Sequence, residues 1–345
     1  MLLSVLDQSP VSEGSSGAQA LANTLDLARL ADALGYHRYW VAEHHGGPML
    51  ASASPEALIG PIAAATSSIR VGSGGVMLPH YSPFKVAETF SVLAALYPGR
   101  IDLGLGRASG TDPLTTFALQ RDRRQVSLDD FPQQLAELLG YIDGSLPDDH
   151  PFSRLAAVLP GRPEVPTVWL LGSSPQSAIW AGQLGLPYAF ADFINPEGAQ
   201  IAALYRERFD PGGPLQAPRV SVAAWVLCAP TDEEAQHLAA SSRMTLTLLR
   251  RGELIPVPPP EKAIEFLARE GKAVSGGLPG RRGIIGSPET VRAGVEQLAA
   301  DYLADEVIAV TITHDHQARR RSYELLAEAF GLESSSTRLA ASTNP

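Results

Sequence analysis

The chain has 345 residues, of which 45% are hydrophobic and 19% are charged. This composition is ordinary for a globular protein and excludes a disordered or collagen-like chain. Its 27 Lys and Arg residues against 37 Asp and Glu residues give a net charge of −10, which argues against a nucleic-acid or anionic-membrane partner.

The sequence shows neither a membrane-spanning segment nor a secretion signal. No stretch approaches the roughly 18 consecutive apolar residues of a transmembrane helix. The opening segment, MLLSVLDQSP, lacks a basic region and reaches an acidic residue early. We therefore expect a cytoplasmic protein.

Continuous apolar runs alternate with segments of helical period along the chain. Strands are predicted, in chain order, at residues 2–6, 39–42, 69–73, 101–105, 167–171, 188–191, 220–228 and 307–312. Helices are predicted after them at residues 18–34, 55–66, 83–96, 131–142, 175–184, 196–208, 232–249 and 319–330. Eight such βα units indicate an α/β fold with a parallel sheet, which either closes into a (β/α)8 TIM barrel or forms a large doubly wound sheet. We favour the barrel, as a single domain over residues 1–333.

Three segments exceed a minimal barrel. Residues 143–166 and 250–286 are rich in proline and glycine and are read as loop insertions. The second is a candidate active-site lid or a passive excursion. Residues 334–345 are expected to form a disordered tail.

Four helices have a common start signal, a serine followed by proline. These serines are Ser54, Ser82, Ser174 and Ser287. Proline suits the first helical position, and a serine hydroxyl before it accepts a hydrogen bond from a free backbone N–H.

Polar residues follow most of the predicted strands at their C-terminal ends, where a barrel carries its active site. They include Asp7, Gln8, Ser9, Glu43, His44, His45, Arg107, Ser173, Ser174, His314 and His316. Of two adjacent histidines only one usually faces a pocket, and from the residues alone a hydrogen-bonded rim position is the simpler interpretation of His44 and His45. His314 and His316 could add metal ligands only if the strand ends meet, and no metal-binding motif is present. We therefore predict no metal site.

The segment Gly172-Ser173-Ser174-Pro175 combines a strand end, a turn and a helix start. Free N–H groups and the positive end of a helix favour a phosphate. Ser173, Ser174 and Ser177 add hydroxyl donors. The alternative is that Ser174 only caps the helix.

Taken together, these residues resemble the bacterial luciferase-like flavin-dependent monooxygenases. The matching stretches are LSVLDQSP at residues 3–10, YWVAEHH at 39–45, VGSGGVMLP at 71–79, AE at 87–88, GRIDLGLGR at 99–107 and GSPETV at 286–291. The opening stretch and residues 106–112 look most like an uncharacterised bacterial subfamily of these oxidoreductases.

The resemblance implies a (β/α)8 barrel that forms a homodimer through helices 55–66 and 83–96. It also implies an FMN-dependent monooxygenase that acts on paired donors with incorporation of molecular oxygen. Reduced FMN, supplied by a separate flavin reductase, would react with O2 through a C4a-peroxide and oxidise a small apolar aldehyde or ketone. Alternatives are a hydride-transfer oxidoreductase that uses the deazaflavin F420, a flavin-binding protein without turnover and a metal-dependent barrel hydrolase.

The resemblance also assigns roles to individual positions. His44 matches a catalytic histidine, and Gly74-Gly75, after Ser73, match a non-proline cis peptide under the flavin ring. Phosphate contacts fall to Arg107, to a second arginine and to the loop after the fifth strand, with candidates Arg121 (favoured over Arg123 and Arg124), Gly172, Ser173, Ser174 and Ser177. The substrate pocket is expected to take residues from Gln8, Ser9, Glu43, His45 and His314.

Overall fold

The structure, a computed structural model, describes residues 1–107, 112–119 and 130–333. Its strands are β1 (Leu2–Asp7), β2 (Arg38–Val41), β3 (Arg70–Met77), β4 (Ile101–Gly106), β5 (Thr167–Gly172), β6 (Tyr188–Ala191), β7 (Val220–Cys228), β8 (Gly283–Gly286) and β9 (Glu306–Val310). Its helices are α1 (Gly17–Leu34), α2 (Pro55–Ala64), α3 (Pro83–Leu96), α4 (Pro113–Leu119), α5 (Phe131–Asp143), α6 (Ser153–Ala156), α7 (Pro175–Gln183), α8 (Ala199–Glu207), α9 (Asp232–Leu249), α10 (Pro260–Arg269), α11 (Pro288–Tyr302) and α12 (His316–Phe330), with a 3-10 turn at Leu78–His80.

Eight parallel strands close into a barrel. Neighbours pair in chain order from β1 to β7, then β7 pairs with β9, and β9 returns to β1. This closed ring confirms the predicted (β/α)8 barrel. The strands are continuous apolar runs because both of their faces are buried.

Strand β8 lies outside the closed ring. It pairs only with the last four residues of β7, from Trp225 opposite Gly283 to Cys228 opposite Gly286. Residues 220–223 of β7 pair with β6, and residues 221–225 pair with β9. The predicted insertion at 250–286 therefore includes a helix, α10, and a strand that extends the sheet beyond the barrel.

The four serine-proline signals mark helix starts, but the predicted serine cap forms at only two of them in the described chain. Helices α2, α3, α7 and α11 each begin at the proline. Ser174 and Ser287 accept the N–H three residues on. Ser54 instead donates to the Glu56 carboxylate at 3.1 Å, and Ser82 makes no side-chain cap bond.

The N-terminal end of the barrel is closed by a buried charge cluster. Arg38, at the start of β2, donates to Asp102 at 2.5 Å and to Glu306 at 2.6 Å, and all three side chains are fully buried. Trp40 and Trp169 pack edge to face above it, with ring centroids 5.3 Å apart. The opposite, C-terminal end remains available for a site.

Within the described residues, no helix combines the length and the apolar character needed to cross a membrane. The predicted tail at 334–345 lies outside the described residues.

Candidate active site

Two cavities open at the C-terminal end of the barrel. The first, here called the barrel-mouth cavity, has a volume of about 290 Å³ and lies over the strand ends. The second, called the α9 cavity, has a volume of about 280 Å³ and lies against helix α9. Gln8, His44, Phe193 and Ile194 line both cavities. The two cavities therefore form one site with His44 on their common border.

The barrel-mouth cavity has an apolar floor. It is lined by Leu6, Trp40, Leu170, Leu171, Ala189, Ala223 and Ile308. The Gly74–Gly75 peptide bond, which also lines it, is cis, as the resemblance implies. A Cβ at Gly74 would lie 2.6 Å from Leu6 Cδ1, and one at Gly75 would lie 2.7 Å from the Gly104 oxygen. Glycine at these two positions keeps backbone, rather than side chain, at the cavity wall.

Ser73 serves the sheet and does not line either cavity. Its hydroxyl donates to the Gly104 oxygen at 2.9 Å and accepts from the Gly104 N–H at 3.0 Å. The side chain is fully buried. Both hydrogen bonds tie β3 to β4, and a contact of Ser73 with a cofactor stays a prediction.

The polar end of the barrel-mouth cavity is the N-terminus of α7. Gly172, Ser173, Ser174, Ser177 and Arg107 all line it. The first turn of a helix leaves backbone N–H groups without intrahelical acceptors. Helix α7 begins with Pro175, which has no backbone N–H of its own.

Hydrogen bonds orient the serines at this end. The Ser177 hydroxyl donates to the Ser174 backbone oxygen at 2.8 Å and lies 3.0 Å from the Tyr188 hydroxyl. A Cβ at position 172 would come within 2.1 Å of Ser177 Oγ, so this close approach requires Gly172.

Arg107 follows β4 and is exposed at the rim. Its guanidinium lies 5.7 Å from the centre of the Trp180 ring, a cation–π distance. The residues brought together here are those expected to hold a phosphate, except that Arg121 and its alternatives Arg123 and Arg124 lie outside the described residues.

His44 lies on the loop after β2, where its backbone N–H donates to the Ser52 oxygen at 2.9 Å. Burial, with a smaller contribution from the neighbouring His45, lowers the pKa of the His44 imidazole from 6.5 to about 4. Its ring makes no hydrogen bond to any residue that the structure describes. The ring is therefore neutral at neutral pH, and its nitrogens can form a hydrogen bond with a bound molecule.

Glu43 and His45 reach the site as a hydrogen-bonded group. The buried Glu43 carboxylate lies 2.7 Å from His45 Nε2 and accepts from the Tyr81 hydroxyl at 2.9 Å and from the Met77 N–H at 2.8 Å. Burial raises the pKa of Glu43. Glu43 lines the barrel-mouth cavity and His45 lines the α9 cavity. These contacts fix the loop that carries His44.

Ser9 and His314 do not line either cavity, and their expected place in the substrate pocket stays a prediction. Ser9 has a positive φ of 48° that turns its side chain inward, where its hydroxyl lies 2.7 Å from that of Thr24. His314 Nε2 lies 3.2 Å from the Glu13 backbone oxygen. His316 pairs with Asp26. Across the described ranges, no three His, Cys, Asp or Glu side chains are grouped as metal ligands.

The α9 cavity contains most of the site residues that sequence reasoning missed. Ser242, Thr245, Leu246 and Leu249 line it from one face of α9. Their spacing of three and four residues was a usable signal, because it places them on one side of a helix. Met49, Leu50, Trp225, Leu254, Arg281 and Ile312 complete most of the wall. They come from segments far apart in the chain, and no local pattern connects them.

Comparison with known proteins agrees with this geometry. Residues 1–306 match the family described as luciferase-like monooxygenase. A luciferase-like monooxygenase of Escherichia coli (strain K12) is 42% identical over 325 residues, which cover 93% of this chain and 95% of that protein. The N-acetyl-S-alkylcysteine monooxygenase of Bacillus subtilis (strain 168) is 39% identical over 335 residues, covering 95% of this chain and 97% of its own. The crystal structure of apo-MsnO8 is 43% identical with a TM-score of 0.87, covering 96% of this chain and 99% of that chain.

Proposed function

Because the chain belongs to the luciferase-like monooxygenase family, we propose that it is an FMN-dependent oxidoreductase that uses O2 to oxidise a small, mostly apolar organic compound. The observation that carries the proposal is the barrel-mouth cavity. Its floor is apolar, and one end combines the N-terminus of α7 with three serines and an arginine. This is the pairing of surfaces that a flat aromatic ring with a phosphate-bearing tail requires.

The donor set fits the phosphate of FMN. The α7 N-terminus carries a partial positive charge, and Ser173, Ser174 and Ser177 supply hydroxyls beside it. Arg107 adds a full charge on the rim, where a charge-assisted hydrogen bond to phosphate is strong.

The apolar end fits the flavin ring. Leu6, Trp40 and Ile308 form the floor, and the Gly74–Gly75 backbone forms one wall. Without a Cβ at these glycines, a planar ring could lie directly against the main chain.

Bound reduced FMN would supply the two electrons with which O2 gives one oxygen atom to the substrate and the other to water. The chain's own contribution is position, exclusion of water and a proton acceptor. The apolar walls of both cavities exclude water from the reacting groups. His44, on the common border and neutral at neutral pH, accepts or holds a proton there. The route of oxygen transfer that the resemblance implies stays a prediction.

The substrate side of the proposal is the α9 cavity. Aldehydes and ketones stay in the expected substrate class. One relative is named for N-acetyl-S-alkylcysteine, a thioether, so thioethers join the compounds to screen. The proposal also includes a separate flavin reductase and a homodimer through α2 and α3. On α3, Val92 is 43% exposed and Leu96 is 64% exposed.

The proposal is tested by anaerobic equilibrium titration with reduced FMN and, in parallel, with reduced F420. We expect reduced FMN to bind more tightly. A preference for F420 would support the hydride-transfer alternative, and binding of neither would overturn the flavin assignment.

The phosphate assignment is tested by the variant Arg107→Ala. Loss of one charged hydrogen-bonding group should weaken reduced FMN binding about ten- to a hundredfold. Binding of reduced riboflavin, which has no phosphate, should change less than about twofold. Arg29→Ala removes an exposed arginine on α1 that lines neither cavity and should leave both affinities unchanged. Equal losses for FMN and riboflavin would contradict the assignment.

A further inference from the structure

Arg281 is the cationic side chain in the wall of a largely apolar cavity. It is half-buried, and the α9 cavity that it lines is otherwise walled mainly by apolar side chains such as Met49, Trp225 and Leu249. Its Nη1 donates to the Phe193 backbone oxygen at 2.6 Å. That bond uses one of the five donors of a guanidinium. The remaining donors face no carboxylate within salt-bridge distance in the part of the chain that the structure describes.

A second arginine lies beside it. Arg250 directly follows Leu249, which lines the same cavity, but Arg250 is itself exposed and lies outside the cavity wall. A Cβ at Gly280 would fall 1.5 Å from Arg250 Nη2, so the Arg250 guanidinium lies against the residue that precedes Arg281. Gly280 has a φ of +57°, and glycine there permits both the turn and the close approach. Burial, and then the charge of Arg250, lower the pKa of Arg281.

The arginines that directly follow these two in the chain do have acidic partners. Arg251 pairs with Glu270, and Arg282 lies 3.2 Å from an Asp192 oxygen. Arg250 and Arg281 have no such partner among the described residues, although acidic residues outnumber basic ones in this chain. Arg281 is half-buried and Arg250 is exposed beside it. Two adjacent positive charges repel one another, and an anion bound between them relieves that repulsion.

The hydroxyl groups of the same wall are already used. Ser242 donates to the Ile312 backbone oxygen at 3.2 Å, and Thr245 donates to the Ser241 backbone oxygen at 2.7 Å. They therefore place no demand on a ligand. The guanidiniums of Arg281 and of the exposed Arg250 retain donors that a bound anion can use.

We propose that Arg281, in the wall of the α9 cavity, and Arg250, exposed beside it, form an anion-binding end of this cavity, and that the substrate is an amphipathic carboxylate. Its carboxylate pairs with the two guanidiniums, and its apolar chain fills the cavity toward His44. The identification of this ligand as the substrate rests on the proposed function. The binding site itself does not depend on a flavin.

The test uses octanoate and methyl octanoate as matched probes, with the protein free of flavin. Trp225 lines the cavity, so its fluorescence reports binding, and calorimetry gives an independent affinity. We expect Arg281→Met to weaken octanoate binding at least tenfold and to change methyl octanoate binding less than twofold. Arg281→Lys should recover part of the lost octanoate affinity, and added NaCl should weaken octanoate binding alone.

Two further variants separate charge from structure. Arg250→Met does not touch the Phe193 bond and should also weaken octanoate selectively. Arg251→Met removes an adjacent arginine that already has a carboxylate partner and should leave octanoate affinity unchanged. The proposal is overturned by equal losses for the acid and the ester, by equal affinities in the parent protein, or by failure of both probes to bind.

Reduced FMN titration of the same variants distinguishes the two proposals. Arg281→Met should bind reduced FMN as the parent protein does, because Arg281 does not line the barrel-mouth cavity. Selective octanoate binding by a protein that binds no FMN would overturn the proposed function and leave this inference standing. FMN binding without carboxylate selectivity would do the reverse.

Discussion

Burial of His44 makes the free energy of unfolding depend on pH below about 6.5. The pKa of its imidazole falls from 6.5 to about 4 in the folded chain. As the pH falls, the unfolded chain therefore binds a proton before the folded chain does. The full stability is present above pH 6.5 and is lost progressively as the pH falls toward 4. At about pH 5 this difference in proton binding amounts to about 2 kcal/mol for one such group.

Urea unfolding of the parent protein and of His44→Gln, each at about pH 7.5 and about pH 5, measures this contribution. Between the two pH values the parent protein should lose about 2 kcal/mol more than the variant, because the other titrating groups cancel in the comparison. His37→Gln is the matched control, since burial also lowers the pKa of His37 to about 4. It should reduce the pH dependence in the same direction without changing FMN affinity. Parallel pH dependence in the parent and in His44→Gln would refute the argument that His44 is held neutral by burial.

Two further predictions concern the barrel that holds the site, and both are checked by urea unfolding at neutral pH. Arg38→Met removes the buried guanidinium that Asp102 and Glu306 share, although Arg70 still pairs with Asp102, and should cost about 3–5 kcal/mol. Arg292→Met, which breaks an exposed pair, should cost less than about 1 kcal/mol, and equal costs would contradict the buried cluster. Gly104→Ala places a Cβ 2.2 Å from the Ser73 backbone oxygen and should cost more than about 2 kcal/mol. Gly277→Ala, with nothing within 4 Å, should be close to neutral, and a tolerated Gly104→Ala would contradict the close β3–β4 contact.

The barrel could be predicted because its signals are local and repeated. Each barrel strand is an apolar run, and proline marks the starts of α2, α3, α7 and α11. Strand β8 was missed because it has four residues and pairs only with the end of β7, outside the ring. Ser287-Pro288 indicated the start of α11, but the helix itself was not identified in its mostly polar sequence.

The site was predictable where a residue's place in the barrel decides its direction. Gln8, His44 and Ser174 follow strand ends and Gly74 lies in the second half of β3, and the closed barrel brings them to one cavity. Ser9 follows a strand end too, yet its positive φ turns it inward, and sequence alone does not reveal that φ.

The second half of the site depends on contacts between distant segments. Arg281 reaches the α9 cavity because the extension from α10 to β8 packs beside α9 and β7. The sequence predicted this region as a loop insertion and a candidate active-site lid, which would border the site. The sequence alone does not show that the Arg250 guanidinium lies against Gly280, beside Arg281.

A crystal structure of the protein grown anaerobically with reduced FMN tests the central claim most directly. The account predicts density for the flavin ring in the barrel-mouth cavity against Gly74 and Gly75, with the phosphate at Ser174, Ser177 and Arg107. The α9 cavity should remain open to substrate, and His44 should lie between the two. Flavin density in the α9 cavity, or a phosphate bound away from α7, would contradict it.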